Sequence, residues 1–192
     1  MRRYSATNKS KTKAKQNATK RNKTQQDRDR TKQRNKQIIN IMEKQKSIQV
    51  LQAYATGLAV QSRAHKVQSI LFASKGYGKL AEKYDAHATE EMENVNKFIE
   101  RIIDLGGAAK VEASPEFPIY EDPIEFIKAD LAISEEQVPI LMKVTKDLED
   151  DFKTYDILRD YALDEEEDMF WMQEQLELVE KIGVQNWLVK QL

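Results

Sequence analysis

Apolar residues recur every three to four positions in long segments of this chain, and the breaks between segments fall at clusters of glycine and proline. Those clusters are Gly76 and Gly78, Gly106 and Gly107, and Pro115, Pro118 and Pro123, with Gly183 near the end. The pattern predicts helix A over 37–74, helix B over 79–105, helix C over 122–151, helix D over 153–182 and a short helix E over 185–192. Only the stretch from Gly106 to Glu121 is a long connection. A long link between the second and third helices lets the chain cross the length of a bundle, whereas short links force antiparallel neighbours. The expected fold is therefore all-α, an up-down-down-up four-helix bundle with a fifth terminal helix.

Helix A carries two apolar faces. At steps of about 100° per residue, Leu51, Tyr54, Leu58 and Phe72 share one side, and Val60, Ala64, Val67 and Leu71 the opposite one. A helix apolar on two sides is covered on two sides, so a neighbouring subunit is expected against the second face. Pro139 falls inside helix C, where it removes a backbone donor; a kink or a break is expected there.

Charge divides the chain in two. Residues 1–46 carry sixteen Lys and Arg against three acids, a net of +13, while residues 47–192 carry a net of −14. With almost no apolar residue before Ile38, the first segment cannot bury enough surface to offset its ordering entropy. Residues 1–37 are accordingly expected to be a disordered, solvated tail, and 38–192 the bundle. Its basic groups are Arg2, Arg3, Lys9, Lys11, Lys13, Lys15, Lys20, Arg21, Lys23, Arg28, Arg30, Lys32, Arg34 and Lys36, with Tyr4 the lone aromatic among them. Such a segment suits phosphates of DNA or another polyanion and reads no bases. Cysteine is absent, so disulfides and thiolate chemistry are excluded. No apolar run approaches the roughly 18 residues that span a bilayer, and the start lacks a signal-peptide core. A cytoplasmic, nucleoid-associated location fits; an Arg-rich organellar transit segment is the alternative, opposed by Asp27 and Asp29. The sequons at Asn8, Asn17 and Asn22 read as chance in an Asn/Thr/Lys-rich stretch.

The candidate chemistry lies in acids on apolar stripes. Glu91 sits among Leu80, Tyr84, Ala88, Val95, Phe98 and Ile102, and Glu165 among Leu158, Tyr161, Ala162, Met169, Met172 and Leu176. A carboxylate in a core stripe is costly unless paired, protonated or metal-bound. Each has a polar residue three positions on, Asn94 and Asp168, and bundle metal sites use this i, i+3 geometry with further carboxylates from the other two helices. Without a metal, repulsion between Glu91 and Glu165 should raise one of their pKa values. His65 on the core face of helix A, and His87 one turn before Glu91, read as structural histidines.

The segments HATEEMENVNKFIERIIDLGG (87–107) and LDEEEDMFWMQEQLELVEKIGVQNWL (163–188) resemble the bacterioferritins, and the similarity spans roughly 51–192. The ERxxxLGG helix end at 100–107 is similar, more weakly, to the DNA-protecting mini-ferritins. The resemblance implies a ferritin-like shell subunit that oxidises Fe(II) at a dinuclear centre and stores the mineral. Carried over by residue, it places the centre's glutamates on Glu91 and Glu165, but Asn94 and Asp168 stand where histidines are implied. Leu58 and Ser134 stand where the helix A and helix C carboxylates are implied, so the centre is degenerate, with iron or a single divalent cation the group it could still hold. Met92 coincides with the haem-ligating methionine, although haem is not expected and packing explains it as well. The function expected is an oligomeric shell subunit with a degenerate ferroxidase centre and a polyanion-binding tail, with residual iron storage. The alternatives are a working iron-storage ferroxidase, and an inactive structural subunit that co-assembles with a paralogue or a larger complex.

Overall fold

The computed structural model describes residues 4–113 and 116–192, with side chains from Gln26 onward apart from Asp27. Five helices follow in order: α1 (Tyr4–Ser74), α2 (Gly78–Asp104), α3 (Pro123–Lys146), α4 (Phe152–Ile182) and α5 (Val184–Lys190). The chain divides into two units, Met1–Glu43 and Lys44–Leu192. In the first unit the residues after Tyr4 are helical, which departs from the irregular tail expected over 1–37. The physical reason is composition: no Gly or Pro occurs before Gly57, and Lys, Arg, Gln and Ala are good helix formers. The described side chains from Arg28 to Lys46 are exposed, so this segment is solvated although helical.

Cross-helix bonds fix the topology of the second unit. Ser62 Oγ donates to Ala88 O (2.6 Å) and Ser69 Oγ to Ala81 O (2.9 Å), so seven residues up α1 are seven residues down α2. Lys46 Nζ reaches Asp147 O (2.7 Å) while Lys75 Nζ reaches Glu121 O (2.7 Å), which makes α3 antiparallel to α1 as well. Arg101 with Asp151 at one end (2.5 Å) and Lys83 with Asp168 further along (2.9 Å) set α2 antiparallel to α4. The result is the up-down-down-up bundle, all-α among the described residues. α5 docks at the end where α2 begins: Trp187 is fully buried, and Lys79 N donates to Gln191 O (3.0 Å).

Helix ends follow local rules. Asp122 caps α3, its carboxylate accepting from Ile124 N (2.7 Å) and Glu125 N (3.1 Å) ahead of Pro123 in the first turn. α2 closes on Gly106 at φ +81°, a conformation glycine adopts without a Cβ penalty. A Cβ on Gly107 would meet Ile102 and Ile48 at 3.0 Å, so this second glycine is a close-approach position. α3 ends at Lys146 instead of continuing to 151, although Leu148 in the following turn is still buried. It runs unbroken through Pro139, so the break considered there is absent.

The core has two apolar ends with a polar layer between them. One end gathers Leu51, Leu58, Phe98, Leu141 and Leu158; the other gathers Phe72, Tyr84, Phe126, Ile127 and Trp187. Seven residues separate Leu58 from His65 and His65 from Phe72, so α1 presents His65 midway. α2 presents Glu91 and His87 at that level, α3 Ser134 and Asp130, and α4 Glu165 and Asp168. The second face of α1 is only partly covered within the chain, with Val67 at 44% exposure.

Removing the α3 cap tests this account locally. Asp122→Ala is expected to lower the unfolding free energy by about 1 kcal/mol, read by denaturant unfolding, with helix content otherwise kept; an unchanged midpoint would show that the cap contributes nothing.

Candidate functional site

His65 lies between two acids from two other helices. Its Nδ1 is 3.0 Å from Glu91 Oε2 on α2, and its Nε2 is 3.3 Å from Asp130 Oδ1 on α3. All three side chains are buried. Burial by itself would lower the imidazole pKa, but hydrogen bonds from Asp130 and Glu91, reinforced by their charges, carry it up to about 10. An imidazolium donates from both nitrogens, which is what two flanking carboxylates need. Burial pushes Glu91 above the usual carboxylate range, with His65 opposing that shift.

A second pairing lies on the α4 side. His87 Nε2 is 2.8 Å from Asp168 Oδ1. Lys83 Nζ reaches the same oxygen at 2.9 Å and stands 5.2 Å from the Trp171 ring centre. Burial works against ionisation of Asp168, yet His87 and Lys83 hold its carboxyl below the ordinary value. Tyr84 fits between the two pairings, packed edge-on to Phe126 (4.7 Å) and with its ring 5.4 Å from that of His65. Its hydroxyl is buried without an aligned partner among the described residues, and burial with the nearby Asp130 charge raises its pKa well above 10.

Glu165 is the remaining acid of this layer. Burial first, then the charges of Glu91 and Asp168, push its carboxyl up to about 8, in line with the expectation that one of the two core glutamates holds its proton. Burial, and after it the Glu165 charge, raises the hydroxyl pKa of Tyr161 one turn earlier on α4. Asn94, the other residue marked in the sequence, is buried but accepts from Lys97 Nζ (2.9 Å) on its own helix. Leu58 and Ser134 are both buried. Among the described residues, no three His, Asp or Glu side chains are grouped as one metal ion requires.

Sequence reading took the polar residues of the layer to come from helices B and D alone. Asp130 on α3 is a further acid of the layer, linked to Glu91 through His65, the core-face histidine of α1. Asp130 stands one turn before Ser134 and is buried beside the Ile127–Leu131 stripe, so the usable signal was an acid at core spacing. Met92 is 39% exposed on α2, outside the core. In the basic segment Arg28, Arg30, Lys32, Arg34 and Lys36 are exposed. Arg2 and Arg3 lie outside the described residues, as do the side chains of Lys9, Lys11, Lys13, Lys15, Lys20, Arg21 and Lys23. No helix among the described residues is long and apolar enough to cross a membrane.

Comparison with known proteins places the bundle. The family model for the ferritin-like domain matches residues 51–182. A bacterial ferritin from Neisseria meningitidis serogroup B is 36% identical over 129 residues, covering 66% of this chain and 83% of that protein. One from Pseudomonas aeruginosa is 28% identical over 148 residues, covering 76% of this chain and 96% of its own length. The family match begins beyond the basic segment.

Two of the raised groups, His65 and Glu165, give a pH signature. His65 binds its proton more tightly folded (about 10) than unfolded (6.5), so its contribution is complete below pH 6.5, declines above it and is gone past 10. Glu165, moved from 4.5 to about 8, also makes stability fall with rising pH, but only up to about 8. Between pH 8 and 10 the loss belongs to His65, with a slope of at most about 1.4 kcal/mol per pH unit. His65→Leu should cost about 3–5 kcal/mol at pH 7 by stranding two buried acids, and should flatten the pH 8–10 slope in urea titrations. A variant as stable as the parent would show that the imidazolium contributes nothing.

Proposed function

The chain belongs to the ferritin-like family, and we propose that it is a shell-forming subunit whose internal metal centre has given way to a charge cluster built on His65. The observation that carries this reading is the span of His65 between Glu91 and Asp130. A protonated imidazole there supplies the positive charge that buried carboxylates otherwise take from a metal ion. The family's dinuclear centre does not fit the residues present. Leu58 and Ser134 offer no carboxylate from α1 or at that turn of α3, Asn94 is engaged by Lys97, and Asp168 by Lys83 and His87. Two iron ions each requiring several O or N donors are therefore not provided for. Ferritin family members form oligomeric shells, and the half-covered Val60–Ala64–Val67 face of α1 is where this chain would meet a second copy or a paralogue.

The basic segment supplies the binding half of the proposal. Exposed Arg and Lys repeat along residues 28–36 on a helix that carries no large apolar side chain before Ile38. This composition favours sequence-independent contact with the phosphates of DNA or another polyanion, and a shell bearing many copies would add avidity. The work of the assembly is then to pack or shield nucleic acid, in a compartment where that polyanion is present.

A second reading, an active iron-storage ferroxidase, draws on one observation: Glu91, Asp130, Glu165 and Asp168 share one layer with two imidazoles. Iron would then be substrate, oxidised after His65 releases its carboxylates.

Two measurements separate the readings. Stopped-flow mixing of Fe(II) with the purified assembly should show oxidation no faster than buffer; a fast phase saturating at two iron ions per subunit would establish the second reading instead. DNA retardation should be lost on deleting residues 1–36. If about 6–10 phosphates are neutralised, affinity should also fall by roughly 10³–10⁵ between 50 and 200 mM salt. Salt-independent binding, or binding that survives the deletion, would remove the segment from the proposal.

A further inference from the structure

A cavity of about 460 Å³ opens between α1 and α3 and reaches the polar layer at Glu165. Leu58 and Ser134, the small or apolar residues at the positions where the resemblance implies carboxylates, both line it. Tyr54 and Tyr161 line it too, their rings 6.2 Å apart and edge to face. The volume lies in the range that accepts a small organic molecule, and such sites combine an apolar wall with a few convergent polar groups.

Charge identifies the occupant. The layer behind the cavity holds four acids, Glu91, Asp130, Glu165 and Asp168. His65 serves Glu91 and Asp130, and Lys83 and His87 serve Asp168. Among the described residues Glu165 is the one of the four with no ion pair, and it is the one that faces the cavity. Around it stand His65 from α1, Glu91 from α2, Asp130 from α3, and Tyr161 and Asp168 from its own helix. An anion entering would meet these acids, and a wholly apolar molecule would leave the Glu165 carboxyl protonated and without a polar partner from the occupant. An organic ammonium would favour the ionised form of Glu165, whose carboxyl proton passes to solvent, and pair with it while its apolar body lay against the aromatic and aliphatic wall, with tyrosine faces adding cation–π attraction.

We propose that this cavity is a binding site for a small lipophilic amine, held by Glu165 at its floor and by the Tyr54–Tyr161 wall. The site does not involve the basic segment, and its probes carry neither iron nor phosphate, so its test does not share a failure with the function proposed above.

Dansylcadaverine, a fluorescent primary amine with an apolar body, is a suitable probe, and its N-acetyl derivative removes the charge while keeping the body. With the full-length assembly, dansylcadaverine should show saturable, blue-shifted emission at one molecule per chain. The acetylated form should bind at least tenfold more weakly. Glu165→Gln should weaken the amine at least tenfold and leave the acetylated probe unchanged. Gly57→Leu places a side chain at the cavity lining, where an added Cβ meets no heavy atom within 4 Å. It should abolish binding of both probes without lowering the melting temperature, because leucine is the better helix former. Equal affinity for the two probes, an unaltered amine affinity in Glu165→Gln, survival of binding in a folded Gly57→Leu assembly, or no saturable binding by the parent would each overturn the assignment.

Discussion

Three of the four bundle helices meet at one imidazole. His65 takes Glu91 from α2 and Asp130 from α3 onto opposite nitrogens, so α1 is joined to two neighbours at a single buried point. Taken from the interior, that side chain would leave two acids inside a low-dielectric layer with no cation between them, a situation proteins rarely tolerate. The apolar clusters above and below could not offset this, because Leu58 and Phe72 lie two turns away on either side of His65 and already belong to them. The layer therefore sets the register at which the helices pack. A shift of two turns would bring Leu58 or Phe72 to the level of His65 and strand Asp130.

The same constraint explains why the polar layer is broad but closed. Asp168 is held by Lys83 and His87, and Lys83 in turn lies over Trp171, so the α4 edge carries its own counter-charge. Only Glu165 stands outside both pairings, and burial beside like charges keeps its proton on to about pH 8. Two different solutions to buried acidity thus coexist within one layer: pairing for Glu91, Asp130 and Asp168, and neutralisation for Glu165. On the proposed reading, both answer the same loss, that of the metal ions around which such a layer is otherwise organised.

The fold was legible because its signals are local and repeated. The stripe of α2 from Leu80 to Ile102, the glycine pair at 106–107 and the Asp122–Pro123 start of α3 each name an element from adjacent residues. Where the reading overshot, the cause was also physical. Leu148 keeps helical spacing with Leu141 and is buried, yet it belongs to the turn after α3, since burial periodicity continues for a few residues after the hydrogen-bond ladder stops. In the basic segment two signals coexist: the absence of apolar residues, from which a solvated tail is expected, and freedom from glycine and proline with Lys, Arg and Gln content that favours helix. The site was legible only by halves. Glu91 and Glu165 stand out as acids within long stripes, but the link from His65 to Asp130 spans 65 residues, and no sequence spacing encodes it.

On the proposed reading, uncharged residues stand where charged ligands would, and this changes the bundle in more than one place. A leucine at 58 extends the apolar end of the core toward the polar layer, which raises the cost of any unpaired acid at its border. A serine at 134 gives up volume, since its side chain is shorter than the carboxylate implied there, and the space opens toward α1 and the solvent. The two effects act in the same direction on Glu165. One removes nearby polarity, the other leaves room beside the carboxyl, and the outcome is a neutral acid at the end of an accessible apolar cavity. A close-packed interior does not keep such space without cost, because the lining atoms lose contacts on one side. That cost is the physical reason to look for an occupant. The acids in the layer behind it determine the sign of the charge that occupant should carry.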